Sequence, residues 1–587
     1  MLDAVLKKAG ITEPGFTHKT VKWAITFTSQ GSYTGVVPLS EGKGREYPCC
    51  PNLSQPELVG GDDARSHFLT ESLSTIALYW KDELEQKDQE KSCAKHKYFC
   101  RLLKDASQVM PCLSIAGKIL TDENIIVDIH TDLKHQKAKP TDAATFIIDG
   151  VNPLEQDDWH DWWREFRESI KKPKDTFLKM RCIATGKLIE PVLTHPVKIK
   201  GLTGVGGLGT GDVLVGFDKQ AFQSYGLEQA ANAAMSEETA TAYAETLNQL
   251  IKDKGIKLGS TLSTYWFLEA VPVEDDPFPW LIEPPVQTQV SAELKARDLL
   301  KAIHEGKRPD LSNNRYMALI LSGAVGRVMV REIIAGSFEN LVSNIDRWFS
   351  HLSIVNREGN GLASQPKFFS VVNAIEFLSK DGKILRNIDD VPPPLIHELW
   401  RSAVTGSHIP SSAMSRTLMR IRSDIVSDMP PLETRFSIIK SYLLRKGDKD
   451  MQPYLNPDHP HPAYHCGRLL AVFARLQRTA LGDVGAGVVQ RYYTAASQTP
   501  GLILGRLTAN AKNHLAKLEG GLAYWFEDLI ADVMSCIKDT VPRTLTLEEQ
   551  SLFALGYYQQ LASLNAGKGG KKKDTENNNL NNEEENK

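Results

Sequence analysis

The sequence predicts an α+β protein in which a mixed amino-terminal domain is followed by an all-α carboxy-terminal helical bundle. Short β-rich runs alternate with helical stretches between residues 22 and 199. Beyond Pro394 helical periodicity dominates and prolines fall mainly between helices. The proline-dense run VPVEDDPFPWLIEPPVQ (271–287) and the prolines near 391–394 mark the boundaries. These signals divide the chain into a mixed α/β domain (1–290), a mostly helical connecting region (291–450), a bundle (451–565) and a polar tail (566–587).

In the first domain, VKWAITFT and NIIVDIH read as strands, and residues 64–104 and 157–172 as helices. A glycine-rich stretch (201–216) precedes an Ala- and Glu-rich helix at 232–250 and a strand-like LGSTLSTYWF. The bundle spans roughly 462–564, and the final GKGGKKKDTENNNLNNEEENK, whose only apolar side chain is Leu580, is predicted to be disordered. A chain of 587 residues is long enough for several cores. Its net charge of −3 excludes a general attraction to nucleic acid, so any polyanion site is a local patch. Eight scattered cysteines suit a reducing cytoplasm. The opening MLDAVLKKAG has no leader pattern and no long apolar run follows, so a cytoplasmic protein without a membrane partner is expected.

Few motifs suggest catalysis. Gly204, Gly206 and Gly209 satisfy G-x-G-x-x-G, but the following DVLVGFD is extended where a dinucleotide fold needs a helix, so a glycine-rich loop between strands is expected. Cys93, His96 and Cys100 would fall on different faces of a helix and fit packed thiols better than zinc. His160-Asp161 sits among Trp159, Trp162, Trp163 and Phe166 and fits packing better than a metal site. No phosphate loop or nucleophile elbow occurs, and no metal or cofactor is expected.

Two regions suit a polyanion. In PNLSQPELVGGDDARSHF, Gly60 and Gly61 precede a predicted helix start holding Arg65, Ser66 and His67, where free N–H groups and a bidentate Arg meet; capping by Asp62 or Asp63 is an equal reading. Residues 461–518 carry seven Lys or Arg and one acid, whereas 519–549 carry seven acids and two bases. On the predicted helix 503–518, Leu504, Leu507, Ala511, Leu515 and Leu518 share one sector, and Arg506, Asn510, Asn513 and Lys517 the opposite one.

Several segments, taken in order, resemble the large subunit of the subtype I-C CRISPR Cascade complex. They include RCIATGK (181–187), THPVKIKGL (194–202), LVGFDKQAFQSYG (214–226), LSGAVGRVMVR (321–331), HPAYHCGRLLAVFARLQRTALG (461–482), RYYTAASQTPGLILGRL (491–507) and TLTLEEQSLFALGYYQQ (544–560). The resemblance covers roughly residues 180–560. It implies a binding subunit rather than an enzyme, in a guide RNA complex with backbone subunits, a handle-binding subunit and small subunits. It also implies double-stranded target DNA and a helicase-nuclease effector as partners. Guide pairing reads the target while protein reads its flank and backbone. On that reading Asn52, Gln55, Gly60, Gly61, Arg65, Ser66 and His67 are candidates for the flanking motif (PAM), because amides and Arg bond base edges or phosphates. Arg475, Arg478, Arg506 and Lys517 are candidates for the displaced strand. The resemblance further implies a separate small subunit from an internal start, for which Met451 is the candidate. The alternatives are a metal-dependent nuclease and a protein-only scaffold.

Overall fold

The computed structural model describes all residues except 10–12, 41–43, 55–56, 59–63, 81–85, 171–178, 283–290, 377–390, 483–486, 539 and 585–587, and no side chain beyond 566. It bears out the predicted class, with sheets in a mixed amino-terminal region and helices alone towards the carboxy terminus. The chain forms two compact units, residues 1–255 with 319–333, and residues 256–318 with 334–587.

The first unit begins with α1 (Leu2–Lys8), then β1 (Phe16–Val21), β2 (Trp23–Phe27), β3 (Tyr33–Pro38), β4 (Arg45–Pro51) and β5 (Glu71–Ser72). Four helices follow, α2 (Leu73–Ile76), α3 (Gln86–Ala106), α4 (Leu113–Ile119) and α5 (Glu123–His135), then β6 (Ala143–Ile148), α6 (His160–Ile170), β7 (Met180–Arg181), β8 (Leu188–Ile189) and α7 (Glu237–Lys254). One sheet has the order β3-β2-β6-β5, with β2 parallel to β6 and antiparallel to β3. β1 and β4 form a separate antiparallel pair.

Two expectations for this unit are corrected. NIIVDIH lies within α5 rather than in a strand, because the Asp122 carboxylate caps it by accepting from Asn124 N–H, and Ile129 and Leu133, four apart, are fully buried. The helix expected over 64–104 is confined to α2 and α3. Residues 64–67 are not helical: Ser66 and Phe68 are buried while Arg65 and His67 are half-buried, the period-two alternation of extended chain.

The core of this unit gathers on α6. Trp159 and Trp163 are fully buried, and Phe68 stacks on the Trp163 indole at 5.6 Å. The His160 ring lies against Trp159 and Phe16, and Asp161 pairs with Arg164, so the adjacent His and Asp serve packing and a helix-surface ion pair. Both ring nitrogens of His96 meet backbone carbonyls, of Thr75 and Leu120, which leaves none for a metal. Among the described residues no three His, Cys, Asp or Glu side chains are grouped to hold a metal ion. The glycine motif, as expected, is a loop with no helix after it. A Cβ on Gly323 would collide with the backbone of Gly206 and Gly207, so the glycines permit backbone-to-backbone contact. The buried Asp212 carboxylate then closes the loop by accepting from the N–H groups of Leu208 and Gly326.

The second unit contains β9 (Ile256–Leu258), β10 (Thr261–Phe267), α8 (Pro277–Ile282), α9 (Ala292–His304) and α10 (Pro309–Ser312). β11 (Arg315–Gly323) and β12 (Val328–Ser337), whose residues 319–333 count with the first unit, belong to a sheet of order β12-β11-β10-β9. Among the described residues the elements that follow are helices: α11 (Phe338–Leu352), α12 (Phe368–Ala374), α13 (Pro393–Thr405), α14 (Ser411–Val426), α15 (Glu433–Lys446), α16 (Pro462–Leu481), α17 (Val488–Ala496), α18 (Pro500–Leu515), α19 (Gly520–Ser535) and α20 (Leu547–Glu584), with one isolated β-bridge between Val355 and Leu362. α16 and α20 approach closely because Gly467 faces the Phe553 carbonyl and Gly556 the Tyr464 carbonyl with no room for a Cβ. Tyr464 Oη then donates to Gln559 Oε1 at 2.5 Å and Arg468 Nε to Gln560 Oε1 at 3.0 Å. The backbone of α20 runs on to Glu584 through the segment whose composition predicted disorder. No described helix is long and apolar enough to cross a membrane.

Candidate nucleic-acid interfaces

The first candidate is the chain following β4. Asn52 N–H donates to the Gly15 carbonyl at 2.8 Å, which fixes the turn out of the strand. Leu53 N–H donates to His67 Nδ1 at 3.1 Å, so the neutral ring carries its proton on Nε2 and presents it as a donor. Burial, then the Lys19 charge, pushes the His67 imidazole down to about 3, which keeps it neutral at physiological pH. Lys19, on β1, reaches the Pro51 carbonyl with its Nζ at 3.5 Å, and burial lowers its own pKa against the pull of Glu71. His67 N–H and Ser72 N–H both donate to Glu71, whose carboxyl, against burial, is held below the usual range by the Lys19 charge and by these two bonds.

An imidazole N–H and an ammonium thus meet at one strand end, at His67 and Lys19, with Asn52 next in the chain and its N–H bonded to Gly15. Lys95 and Lys200 are close enough for their charges to act on His67, as is the opposing charge of Glu71. The loop itself is held from below. Glu57 Oε2 accepts from Ser54 N–H at 2.6 Å, and its carboxylate pairs with Arg167 of α6, whose Nη2 also reaches Glu237 at 2.5 Å.

The residues expected here are only partly assembled. Asn52 and His67 come together at the end of β4, Asn52 with its N–H bonded to the Gly15 carbonyl and His67 with its Nδ1 bonded to Leu53 N–H. Arg65 Nη1 donates to the Glu57 carbonyl at 2.7 Å and braces the loop, and Ser66 is fully buried. The helix start expected to present Arg65, Ser66 and His67 is absent, because this segment is extended. Gln55, Gly60 and Gly61, with Asp62 and Asp63, lie outside the described residues. Sequence reasoning missed Lys19, Lys95 and Lys200, which lie in three separate segments and share no local pattern.

The second candidate lies on the bundle. Leu504, Leu507 and Ala511 of α18 are buried, whereas Arg506, Asn510, Asn513 and Lys517 are exposed, as the periodicity predicts. Arg478 is exposed on α16. Arg475 is half-buried, and its Nη2 donates to Asn565 Oδ1, so it ties α16 to α20. Arg468, counted among the seven cations of this segment, is buried against Gln560, His465 and the Pro457 carbonyl.

The first unit thus carries His67 and Lys19 at one strand end, and the bundle carries an exposed basic stripe. Residues 2–564 match the family described as CRISPR-associated protein (Cas_Csd1), so the chain belongs to the Cas_Csd1 family, the large subunit of the type I-C Cascade complex. The match reaches back through the whole first unit, beyond the 180–560 segment that carries the resemblance in sequence. None of the curated proteins compared matches the chain.

Proposed function

We propose that this chain is a non-catalytic subunit of a guide RNA complex that reads the short motif flanking a target in double-stranded DNA, steadies the displaced strand along its carboxy-terminal bundle, and supports recruitment of a helicase-nuclease. The observation that carries the proposal is the pairing of His67 and Lys19, unlike donors held at one strand end beside Asn52. Guide pairing already specifies the target, so what is left to protein is a few base edges of the flank and the phosphates of single strands. Two adjacent donors suit base acceptors such as guanine O6 and N7. The exposed Arg478, Arg506 and Lys517 suit a path that ignores sequence.

The test is target capture by the reconstituted complex, with Lys19→Ala and His67→Ala combined. Capture of DNA bearing the correct flank should fall at least about tenfold, the scale of one well-made base contact, while the complex still assembles. Unchanged capture would place flank reading elsewhere. Capture that does not depend on salt would favour a scaffold that touches only protein.

A further inference from the structure

Between α16, α17 and α18 lies a cleft of about 220 Å³. Its floor is apolar, from Phe473, Leu476, Leu507 and Ala511. Its polar wall is made by Gln477, Arg491, Tyr492, Asn510, Asn513 and His514. Gln477 Oε1 accepts from Val488 N–H at 2.7 Å, which turns the amide and leaves its NH₂ as a donor. Burial and the neighbouring Lys517 charge lower the His514 pKa, which favours the uncharged ring. The lining contains amides, an imidazole, a phenol and a guanidinium, and no carboxylate.

Size, chemistry and position narrow the occupant. The volume is several times the ~30 Å³ share of one water and below the roughly 300–1,000 Å³ of sites for drug-sized ligands, which suits a single ring system. An apolar floor with a phenol beside it suits a flat ring, and amide groups can both donate to and accept from its edge. Asn510 and Asn513 are also the middle of the exposed stripe that runs from Arg506 to Lys517, so the mouth of the cleft opens between two cations about one helical turn to either side. A wall without acids beside such a stripe complements a polyanion and disfavours a basic peptide.

We propose that this cleft receives one unstacked base of a single-stranded nucleic acid whose phosphates follow Arg506 and Lys517. The inference rests on the displaced-strand reading given above and adds a base-binding site to it. Such a pocket would hold the strand at intervals by stacking, with little regard to sequence, because every base has a π-face.

The experiment compares binding of an oligothymidylate and an abasic strand of equal length to the full-length chain, by fluorescence anisotropy. The thymidylate should bind about tenfold tighter, the effect expected of one stacked base. Asn510→Ala combined with Asn513→Ala, both on an exposed helix face, should bring the thymidylate down towards the abasic strand. Ala511→Met, which fills the cleft from its floor, should do the same, with unfolding midpoints of both variants recorded to exclude loss of the bundle. Arg506→Ala with Lys517→Ala should weaken both strands by the same factor. Equal affinity of the two strands for the unaltered chain, or a preference that survives both pocket variants, overturns the pocket. A base preference that persists while Arg506→Ala and Lys517→Ala change nothing supports the pocket and overturns the backbone path. Failure of both strands to bind overturns both.

Discussion

His67 shows how one hydrogen bond settles the chemistry of a side chain. A free histidine titrates near neutrality and offers either tautomer. Here Leu53 N–H occupies Nδ1, and burial with Lys19 nearby holds the pKa at about 3, so Nε2–H is a donor throughout the physiological range. Two consequences can be measured. His67→Gln, whose amide keeps a donor, should retain part of the capture of flank-bearing DNA, whereas His67→Ala should lose about 1–3 kcal/mol of discrimination between correct and incorrect flanks. Over roughly pH 6–8 the unaltered complex should show no titration attributable to this ring. A midpoint near 6.5 that disappears in His67→Ala would contradict the assignment.

At the scale of elements, α6 holds the loop after β4, the proposed reading loop. Its aromatic face fills the core, and its Arg167 bridges Glu57 of the loop and Glu237 at the start of α7, with the guanidinium and Glu57 both buried. Removing one member of a buried ion group leaves the others unpaired, and such a change costs about 3–5 kcal/mol. Arg167→Ala should therefore lower the thermal unfolding midpoint, and capture of flank-bearing DNA should fall even under conditions where the protein remains folded. Glu57 also fixes Ser54 N–H, and its carbonyl receives Arg65, so the loss of Arg167 reaches the loop through one residue. Capture that stays normal in a folded Arg167→Ala protein would show that the loop is held by other contacts.

Over the whole molecule, four histidines are kept neutral by burial: His67 at about 3, and His195, His351 and His465 at about 4. In each the folded pKa lies below the unfolded value of about 6.5, so below that pH the unfolded chain binds more protons. Their contribution is complete above about pH 6.5 and is lost as pH falls towards the folded values, at up to about 1.4 kcal/mol per pH unit for each ring. Chemical denaturation at pH 7.5, 6.5 and 5.5 should show a marked loss only across the lower step, and replacing His465 or His195 by Phe should shrink it. Equal losses across both steps would point to other groups.

Met451 raises a question on the same scale. It is 4% exposed, and the chain from it onwards contains α16 to α20 with the Gly467–Gly556 crossing. A product beginning there would nonetheless lack α15, whose Phe436 stacks on Tyr558 at 4.2 Å, and Val355, whose carbonyl accepts from Tyr558 Oη at 2.8 Å. A fragment from Met451 to the end should accordingly form, but should be recovered with partner subunits rather than alone. Expression with a carboxy-terminal tag, followed by mass spectrometry of the captured species, decides it, and a full-length product alone would exclude an internal start.

Local periodicity was enough to predict the mixed region, the helical carboxy-terminal half and the two faces of α18, because a helix buries residues three and four apart wherever it packs. The ordered run of segments from 180 to 560 was enough for the family. The β-branched run NIIVDIH misled, since its strand propensity yielded to the Asp122 cap and to burial of Ile129 and Leu133 on one helix face. The candidate flank-reading site lay further from view. Lys19, Asn52, His67, Lys95 and Lys200 are brought together by the pairing of β1 with β4 and by the packing of distant segments, and charge and protonation depend on distance in space, which spacing along a chain does not record. The cleft of the bundle was hidden for the same reason, because it exists only where α16, α17 and α18 meet.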